Sequence, residues 1–436
     1  MLYLIYTLLL ALLGLLVLPF LLYRYWTTPK YRGTIHQRLG FLDPLLLQQA
    51  LKKPVVWLHA VSVGEAMAAR DLSAQLAQRY PDHLLVVSTV TKTGRQVVLE
   101  KMPHVHHHLY LPLDFPFCIN RVIKVLKPKL CIVMETELWP NFFRALHQNH
   151  CPIVVVNGRL SPQSFKSYHK ARWAMRPFLA PVTHMAMQSE LDAQRMQAIG
   201  GESQRVSTTG NLKYDQALRT PSEEEMAQRE ACLGEINTAA PIIMAASTHP
   251  GEERLVLDAF INLRQQYPDL RLILAPRHPE RASEVRKLIE SSQLSYQALT
   301  QNQAPWQQSV LLVDTIGWLT RLYPLCQGVF MGGSLIPRGG QNMLEPSACG
   351  IPTLYGPHTF NFRHIAQQLE EAKAAIRVAD QPTLEQGWHR LLSNPDHQHH
   401  MGQAAKSVVE SNTGALQRTL AQIEQIYPGT TTGTRS

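Results

Sequence analysis

No two of the six cysteines (118, 131, 151, 232, 326 and 349) form a CxxC pair, which excludes a disulfide framework and a structural zinc site and fits a reducing compartment. There is no DxD to bridge a metal to a diphosphate, no GxGxxG after a strand, no Walker A loop and no GxSxG elbow. Dinucleotide, P-loop and α/β-hydrolase chemistry are set aside with them. Basic patches interleaved with aromatics are missing as well, so the formal charge of +9 is not that of a nucleic-acid binder. It implies attraction to another anion, a lipid headgroup surface or a phosphorylated substrate. No repeat of solenoid period and no long low-complexity tract is present.

One long apolar run is present. Leu2 to Leu22 contains no charged residue and as a helix measures about 31 Å, enough to cross the hydrocarbon of a bilayer. It has no basic n-region and no small-x-small cleavage site follows, so it reads as a retained anchor rather than a cleaved signal. Arg24, Lys30, Arg32 and Arg38 all follow it, which places the bulk of the chain in the cytoplasm. Pro19 can kink the segment or end its span and leave part of it in the interface.

The chain, 436 residues and 45% apolar overall, is long enough for two cores. β-Branched runs (PVVWLHA, HLLVVSTV, HHLYLPLD, CIVMET, PIVVVNG, HMAMQS, RVSTTG) alternate with amphipathic stretches from 54 to 209. The rhythm restarts at 241 with PIIMAAS, LRLILAP, SVLLVDT, QGVFMGG, IPTLYG and AAIRVAD. Strand and helix in turn predict an α/β fold of two doubly wound parallel-sheet domains. The expected organisation is an anchor over 1–25, a first domain over 26–214, a linker over 215–240 with a helix capped at Ser222, a second domain over 241–410 and a C-terminal helix and tail over 411–436. Two such sheets leave a cleft at the carboxyl ends of their strands, so function is sought in strand-end loops.

In the second domain MAASTHPGEE carries Ser247, Thr248 and His249 into a helix, and LAPRHPER carries Arg277 and His278 into another. Helix N-termini with a nearby guanidinium suit a phosphate or carboxylate, and equally they are capped helices with solvated charges. Gly332, Gly333 and Ser334 end a further strand, and Gly339 and Gly340 precede a helix expected to start near Gln341 or Asn342. Asn342 and Glu345 fit a capping box; Glu345 also suits a vicinal diol of the kind a ribose presents. In the first domain HAVSVGE places Glu65 in a first helical turn, with Ser62 at capping-box spacing. A carboxylate there with no positive neighbour in sequence is alternatively a general base for an acceptor hydroxyl. METELWPN adds Glu135 and Glu137, a second base, an orienting group or a complement to a helix dipole, and Lys213 in TGNLKYD adds a point charge. The histidine runs 106–108 and 397–400 do not suggest a metal site: alternate strand residues face opposite sides, and the second run lies on a polar helix.

HAVSVGE, STVTKTG, METELWPN, NGRLSP, TGNLKYD, AASTHPGEE, LAPRHPER and GGSLIPRGGQNMLEPSACGIPTLYGPHTFNF, in this order after an apolar N-terminus, closely resemble the bacterial 3-deoxy-D-manno-octulosonic acid (Kdo) transferases of lipopolysaccharide synthesis. The resemblance spans about residues 1 to 370. It implies a GT-B fold, an inner-membrane enzyme facing the cytoplasm, CMP-Kdo as donor, lipid IVA as acceptor, inversion at the anomeric carbon, and no metal or cofactor. By that resemblance Glu65 is the general base; Arg277, Gly332 to Ser334, Asn342 and Glu345 lie on the CMP side; and Lys213 and Ser247 to His249 lie near phosphate or the Kdo carboxylate. The chain departs from the family at Gly317-Trp318-Leu319, where Gly-Glu-Leu is usual. Lys30, Arg32, Arg38, Lys52 and Lys53 would then hold the first domain to an anionic leaflet. Competing readings are a UDP-sugar enzyme of the same fold, such as an epimerase or N-acetylglucosaminyl transferase, separable by CMP against UDP binding, and a tethered scaffold without turnover.

Overall fold

The computed structural model describes residues 1–27, 33–218, 221–234, 240–301 and 304–429. Lys30 and Arg32 of the expected basic flank lie outside them. The chain forms two compact units, one of Met1–Gln216 with the C-terminal stretch from Thr413, the other of Ala217–Asn412.

The first unit carries β1 (Val55–His59), β2 (Leu84–Thr89), β3 (His107–Tyr110), β4 (Leu130–Met134), β5 (Ile153–Gly158), β6 (His184–Met187) and β7 (Val206–Thr208). They form one parallel sheet in the order β3-β2-β1-β4-β5-β6-β7. All five residues of β1 are buried because both faces are covered. Val55 and Trp57 enter one core with Phe142, Phe143 and Ile153, while Val56 and Leu58 enter the opposite core with Leu72, Leu76 and Ile132.

That second core is completed from the far end of the chain. Helix Ala415–Ile426 supplies Ala415, Leu420 and Ile423. The Asp215 carboxylate accepts the N–H groups of Gly414 (2.7 Å) and Leu416 (3.1 Å) at this helix's start, and Arg418 donates to the Thr209 carbonyl at 2.8 Å. The C-terminal helix therefore belongs to the first unit.

The second unit carries β8 (Ile242–Thr248), β9 (Arg271–Pro276), β10 (Tyr296–Ala298), β11 (Val310–Leu312), β12 (Gly328–Met331), β13 (Thr353–Tyr355) and β14 (Ala375–Arg377), parallel in the order β10-β11-β9-β8-β12-β13-β14. Its core gathers Phe260, Phe330 and Trp388. Helix Glu223–Leu233 closes a full capping box at Ser222 and sits in this unit: the Leu233 carbonyl accepts Trp306 N–H at 2.8 Å, and Arg321 pairs with Glu225 at 3.1 Å.

The N-terminal helix runs Leu2–Thr27, and its stretch Leu2–Pro19 is the one described helix long and apolar enough to cross a membrane. The inferred membrane-facing role of Arg38 does not hold. Its guanidinium donates to the Val90 carbonyl and lies over the Tyr110 ring, 5.4 Å from the centroid, so its charge is turned into the fold.

Candidate active site

Each sheet reverses its winding once. In the first unit the reversal falls between β1 and β4, in the second between β8 and β12. In an open parallel sheet the two loops leaving such a pair diverge to opposite faces and open a crevice at the carboxyl edge. The sequence-derived residues cluster at these two reversals.

After β1 the chain turns into helix Val63–Arg79, capped by Ser62, whose hydroxyl accepts the Glu65 N–H at 3.3 Å. The Glu65 carboxylate accepts the Val61 N–H at 2.8 Å and the Ser62 hydroxyl at 2.9 Å. The carboxylate thus braces the turn, and it lies at the winding reversal. Burial pushes its proton affinity up to about 7; the Val61 N–H opposes this, and the charges of Glu135 and Glu137 add to it. A carboxylate titrating near neutrality is matched to taking a proton from a hydroxyl.

After β4, Glu135 adopts a left-handed backbone (φ 55°) and its carboxylate accepts from Arg159 at 2.8 Å. Glu137 is held above the usual carboxylate range by burial and by Glu135. Lys213 is brought to the same group by Asn157, whose side-chain carbonyl accepts the Leu212 N–H at 3.1 Å. Burial lowers the proton affinity of Lys213, and the carboxylates of Glu135 and Glu65 oppose that. Glu65 is therefore not the isolated acid its sequence neighbours suggest: a lysine distant in sequence shares its field. Arg159, inside the motif NGRLSP, carries the partner charge for Glu135 that sequence reading did not assign.

In the second unit the last two residues of β8 are Ser247, at φ 55°, and buried Thr248, and the backbone just after β12, at Gly332, passes directly over them. A Cβ on Gly332 would lie 2.4 Å from the Ser247 carbonyl oxygen, so only glycine fits. Glu252 organises this crossing. Its buried carboxylate accepts the N–H groups of His249 (3.0 Å), Gly333 (2.7 Å), Ser334 (3.1 Å) and Leu335 (3.0 Å). Of these donors the His249 N–H belongs to a helix start expected to face an anion, and it is directed at Glu252 instead. The Ser334 hydroxyl accepts Gly356 N–H at 2.8 Å, tying in β13, and Gly340 N–H donates to the Gly333 carbonyl at 2.7 Å.

Positive charge gathers around His249. Its ring meets that of His278 edge-on at 5.8 Å, and Gln341 Nε2 approaches its Nε2 at 3.3 Å. Burial first, then His278, Arg338, Arg277 and Arg281, lower its proton affinity to about 4. Arginines around a neutral imidazole leave a net positive field. Arg338 is a member that sequence reading missed. Arg281 is committed elsewhere, to buried Glu253 at 2.7 Å and to Glu284 at 3.0 Å.

Helix Leu344–Ala348 begins two or three residues later than expected, because residues 341–343 follow the two left-handed glycines 339 and 340 and stay non-helical. The capping box does not form. The Asn342 side-chain amide donates to the Glu345 carboxylate at 3.1 Å, and the carboxylate also bonds the buried Tyr323 hydroxyl. Glu345 is held by side chains. Among the described residues no group of three or more His, Cys, Asp or Glu is placed to hold a metal ion. His106, His107 and His108 turn to the Leu85 N–H, Gln49 and Thr89 respectively.

Residues 33–216 match the family described as 3-deoxy-D-manno-octulosonic-acid transferase (kdotransferase). The 3-deoxy-D-manno-octulosonic acid transferase of Haemophilus influenzae is 36% identical over 396 residues, 90% of this chain and 91% of that protein. This chain belongs to the Kdo transferase family. The Bordetella pertussis transferase is 32% identical over 377 residues, 85% of this chain and 86% of its own. A UDP-GlcNAc 2-epimerase from Neisseria meningitidis, solved with UDP-GlcNAc, shares the two-domain fold at 14% identity, with a TM-score of 0.58 over 86% of this chain and all of that one. Trp318, where this Kdo transferase sequence departs from the usual glutamate, is buried, with the Arg321 guanidinium 4.7 Å from its ring centroid. Arg321 in turn pairs with Glu225 on helix Glu223–Leu233.

Proposed function

We propose that this protein transfers Kdo from CMP-Kdo to the lipid A precursor lipid IVA, with inversion at the anomeric carbon and without a metal ion, at the cytoplasmic face of the inner membrane. The end-to-end similarity to a Kdo transferase, across nine-tenths of both chains, is the observation that carries it. The first unit is read as the acceptor side and the second as the donor side.

In this reading the Glu65 carboxylate takes the proton of an acceptor hydroxyl as its oxygen attacks the anomeric carbon of Kdo. The bond from that carbon to the phosphate oxygen breaks on the opposite face, and CMP leaves as the anion. Arg277, Arg338 and the dipole of the neutral His249 ring receive that charge, and a monophosphate leaving group needs no divalent ion to neutralise it. Asn342 and Glu345 hold the ribose. Lys213 and Glu135, fixed by Arg159, set the field around the base. Incubation with CMP-Kdo and lipid IVA in the presence of a chelator, followed by mass spectrometry, tests the reading. Release of CMP with no Kdo-bearing lipid would overturn it, as would dependence on added metal.

Two consequences bear on the site. With Glu65 acting as base, kcat/KM should fall with a one-proton slope below about pH 7. Glu137→Gln removes a like charge and should move that limb to lower pH, whereas an unmoved limb would detach Glu65 from it. For the donor side, Glu345→Ala removes two side-chain anchors of the 342–345 turn. It should weaken CMP binding by about 10- to 100-fold, at roughly 1–3 kcal/mol for a lost charged hydrogen bond, with the pH limb unchanged. Titration calorimetry with CMP and with UDP reads this directly and also separates the UDP-sugar alternative.

A further inference from the structure

The N-terminal helix has two unlike sides. Leu4, Leu8, Leu9, Leu12, Leu15 and Leu16 are 56–72% exposed, forming a broad aliphatic face with no charge. The opposite stripe, Tyr3, Tyr6, Thr7 and Gly14, lies at i, i+3, i+4 and i+11 and is turned onto the first unit. Tyr3 donates to the Pro177 carbonyl at 2.9 Å, meets the Phe178 ring at 5.2 Å and lies under the Arg144 guanidinium at 4.9 Å. Tyr6 donates to Asp114 at 2.9 Å, and Asn141 donates to the Thr7 hydroxyl at 3.0 Å. Eleven residues on, about 16 Å along the axis, Gly14 still faces the Phe115 ring, 3.8 Å from where a Cβ would stand.

Asp114 makes this seam firm. Its buried carboxylate also accepts the N–H groups of Asn141 (3.1 Å) and Phe142 (2.8 Å), capping helix Pro140–Gln148, which has no cap of its own. A helix standing across the bilayer would carry Tyr3 and Tyr6 about 20–30 Å into or beyond the hydrocarbon, and with them Arg144 and Asp114 of the globular unit. Contacts at both Tyr3 and Gly14 exclude that arrangement. Beside the seam, helices Pro162–Lys170 and Arg172–Leu179 expose Lys166, Lys170, Arg172 and Arg176, and Trp173 stands out at 69% exposure. Among the described residues none of these four cations forms an ion pair with a carboxylate. An aliphatic face, an exposed tryptophan and unneutralised cations on one side of the unit complement the acyl, interfacial and phosphate layers of one leaflet.

We infer that the N-terminal helix does not span the membrane but lies in its plane, clamped to the first unit through Tyr3, Tyr6 and Asp114, and that helix Arg172–Leu179 completes a monotopic surface for an anionic phospholipid leaflet. This rests on the membrane reading above and not on the sugar transferred.

Single cysteines placed at Leu4, Leu9 and Leu16 of the full chain, in a background with Cys232→Ser and Cys349→Ser, are labelled with a fluorophore. They are then measured in phosphatidylethanolamine–phosphatidylglycerol vesicles carrying quenchers at headgroup or mid-chain depth. In-plane placement gives the same shallow depth at all three positions. A profile deepest at Leu9 and shallow at the other two is a span and overturns the proposal. Absence of quenching at every position overturns it too, because the face is then covered by protein, such as a second copy of the chain. Lys170→Gln/Arg172→Gln/Arg176→Gln should reduce affinity for the anionic vesicles about a hundredfold and leave binding to purely zwitterionic ones unchanged. Equal loss on both, or none, removes the basic helix from the surface. Kdo transfer to soluble short-chain acceptor is measured in parallel, so failure of the membrane geometry is distinguishable from failure of the enzyme assignment.

Discussion

Glu65→Gln is expected to lower the turnover of Kdo transfer by about 10²- to 10⁴-fold while CMP binding by the second unit stays unchanged. The same substitution should stabilise the protein above neutral pH. The folded-state proton affinity of Glu65 lies near 7 against an ordinary value of 4.5, so the fold binds a proton that the unfolded chain has already lost across that window. Stability from this group is therefore greatest at low pH, falls as pH rises from about 4.5 to about 7, and then stays low. A glutamine has no charge to bury and escapes that loss, on the order of 3 kcal/mol at 1.36 kcal/mol per unit. Gaining melting temperature while losing activity is the signature of a carboxylate held for chemistry rather than for the turn it braces. A variant that retains turnover, or that melts lower at pH 8 than the parent, would return Glu65 to a capping role.

Glu252→Ala should have the other large effect, on the second unit. It leaves four backbone N–H groups, those of His249, Gly333, Ser334 and Leu335, without their acceptor in a buried place. At about 1–3 kcal/mol for each unsatisfied donor, the loss approaches the whole stability of a domain. CMP binding should disappear, and the unit's thermal transition should drop by ten degrees or more or broaden. Glu252→Gln keeps one acceptor oxygen and should sit between the two. Calorimetry and circular dichroism on both variants decide it, since a Glu252→Ala protein that binds CMP like the parent would show that water replaces the carboxylate.

Much of this could be read from residues alone because β-branched runs in a parallel sheet are buried on both faces and leave an unambiguous trace. The seven strands of the first sheet and six of the second were expected where they occur. The seventh, β10 (Tyr296–Ala298), escaped because it is an edge strand of three residues in which only two side chains are buried. Glu65, Glu135 and Glu137 were legible since each lies within six residues of a strand's carboxyl end, and strand ends are where such sheets hold ligands.

Interactions between residues far apart in sequence were not legible. Glu252 accepts from residues 81 to 83 positions away, and in a single sequence HPGEE reads as an ordinary helix start. Separation in sequence also hid the approach of Lys213 to Glu65 and the hydrogen bond from Arg38 to the Val90 carbonyl. For the N-terminal helix a signal did exist: Tyr3, Tyr6 and Thr7 are polar-tipped residues on one side of an otherwise aliphatic run, a pattern a freely spanning helix has no need of.

The return of the last helix to the first unit bears on how the molecule is made. Ala415, Leu420 and Ile423 fill one side of a sheet whose strands end at Thr208. A ribosome adding about 5–20 residues per second must produce the whole of Ala217–Asn412 first, a delay of roughly 10–40 s. Through that interval the nascent amino-terminal lobe presents an unfinished oily flank, so chaperone dependence should concentrate there and vanish in a circular permutant that joins Thr413–Ile426 ahead of β1.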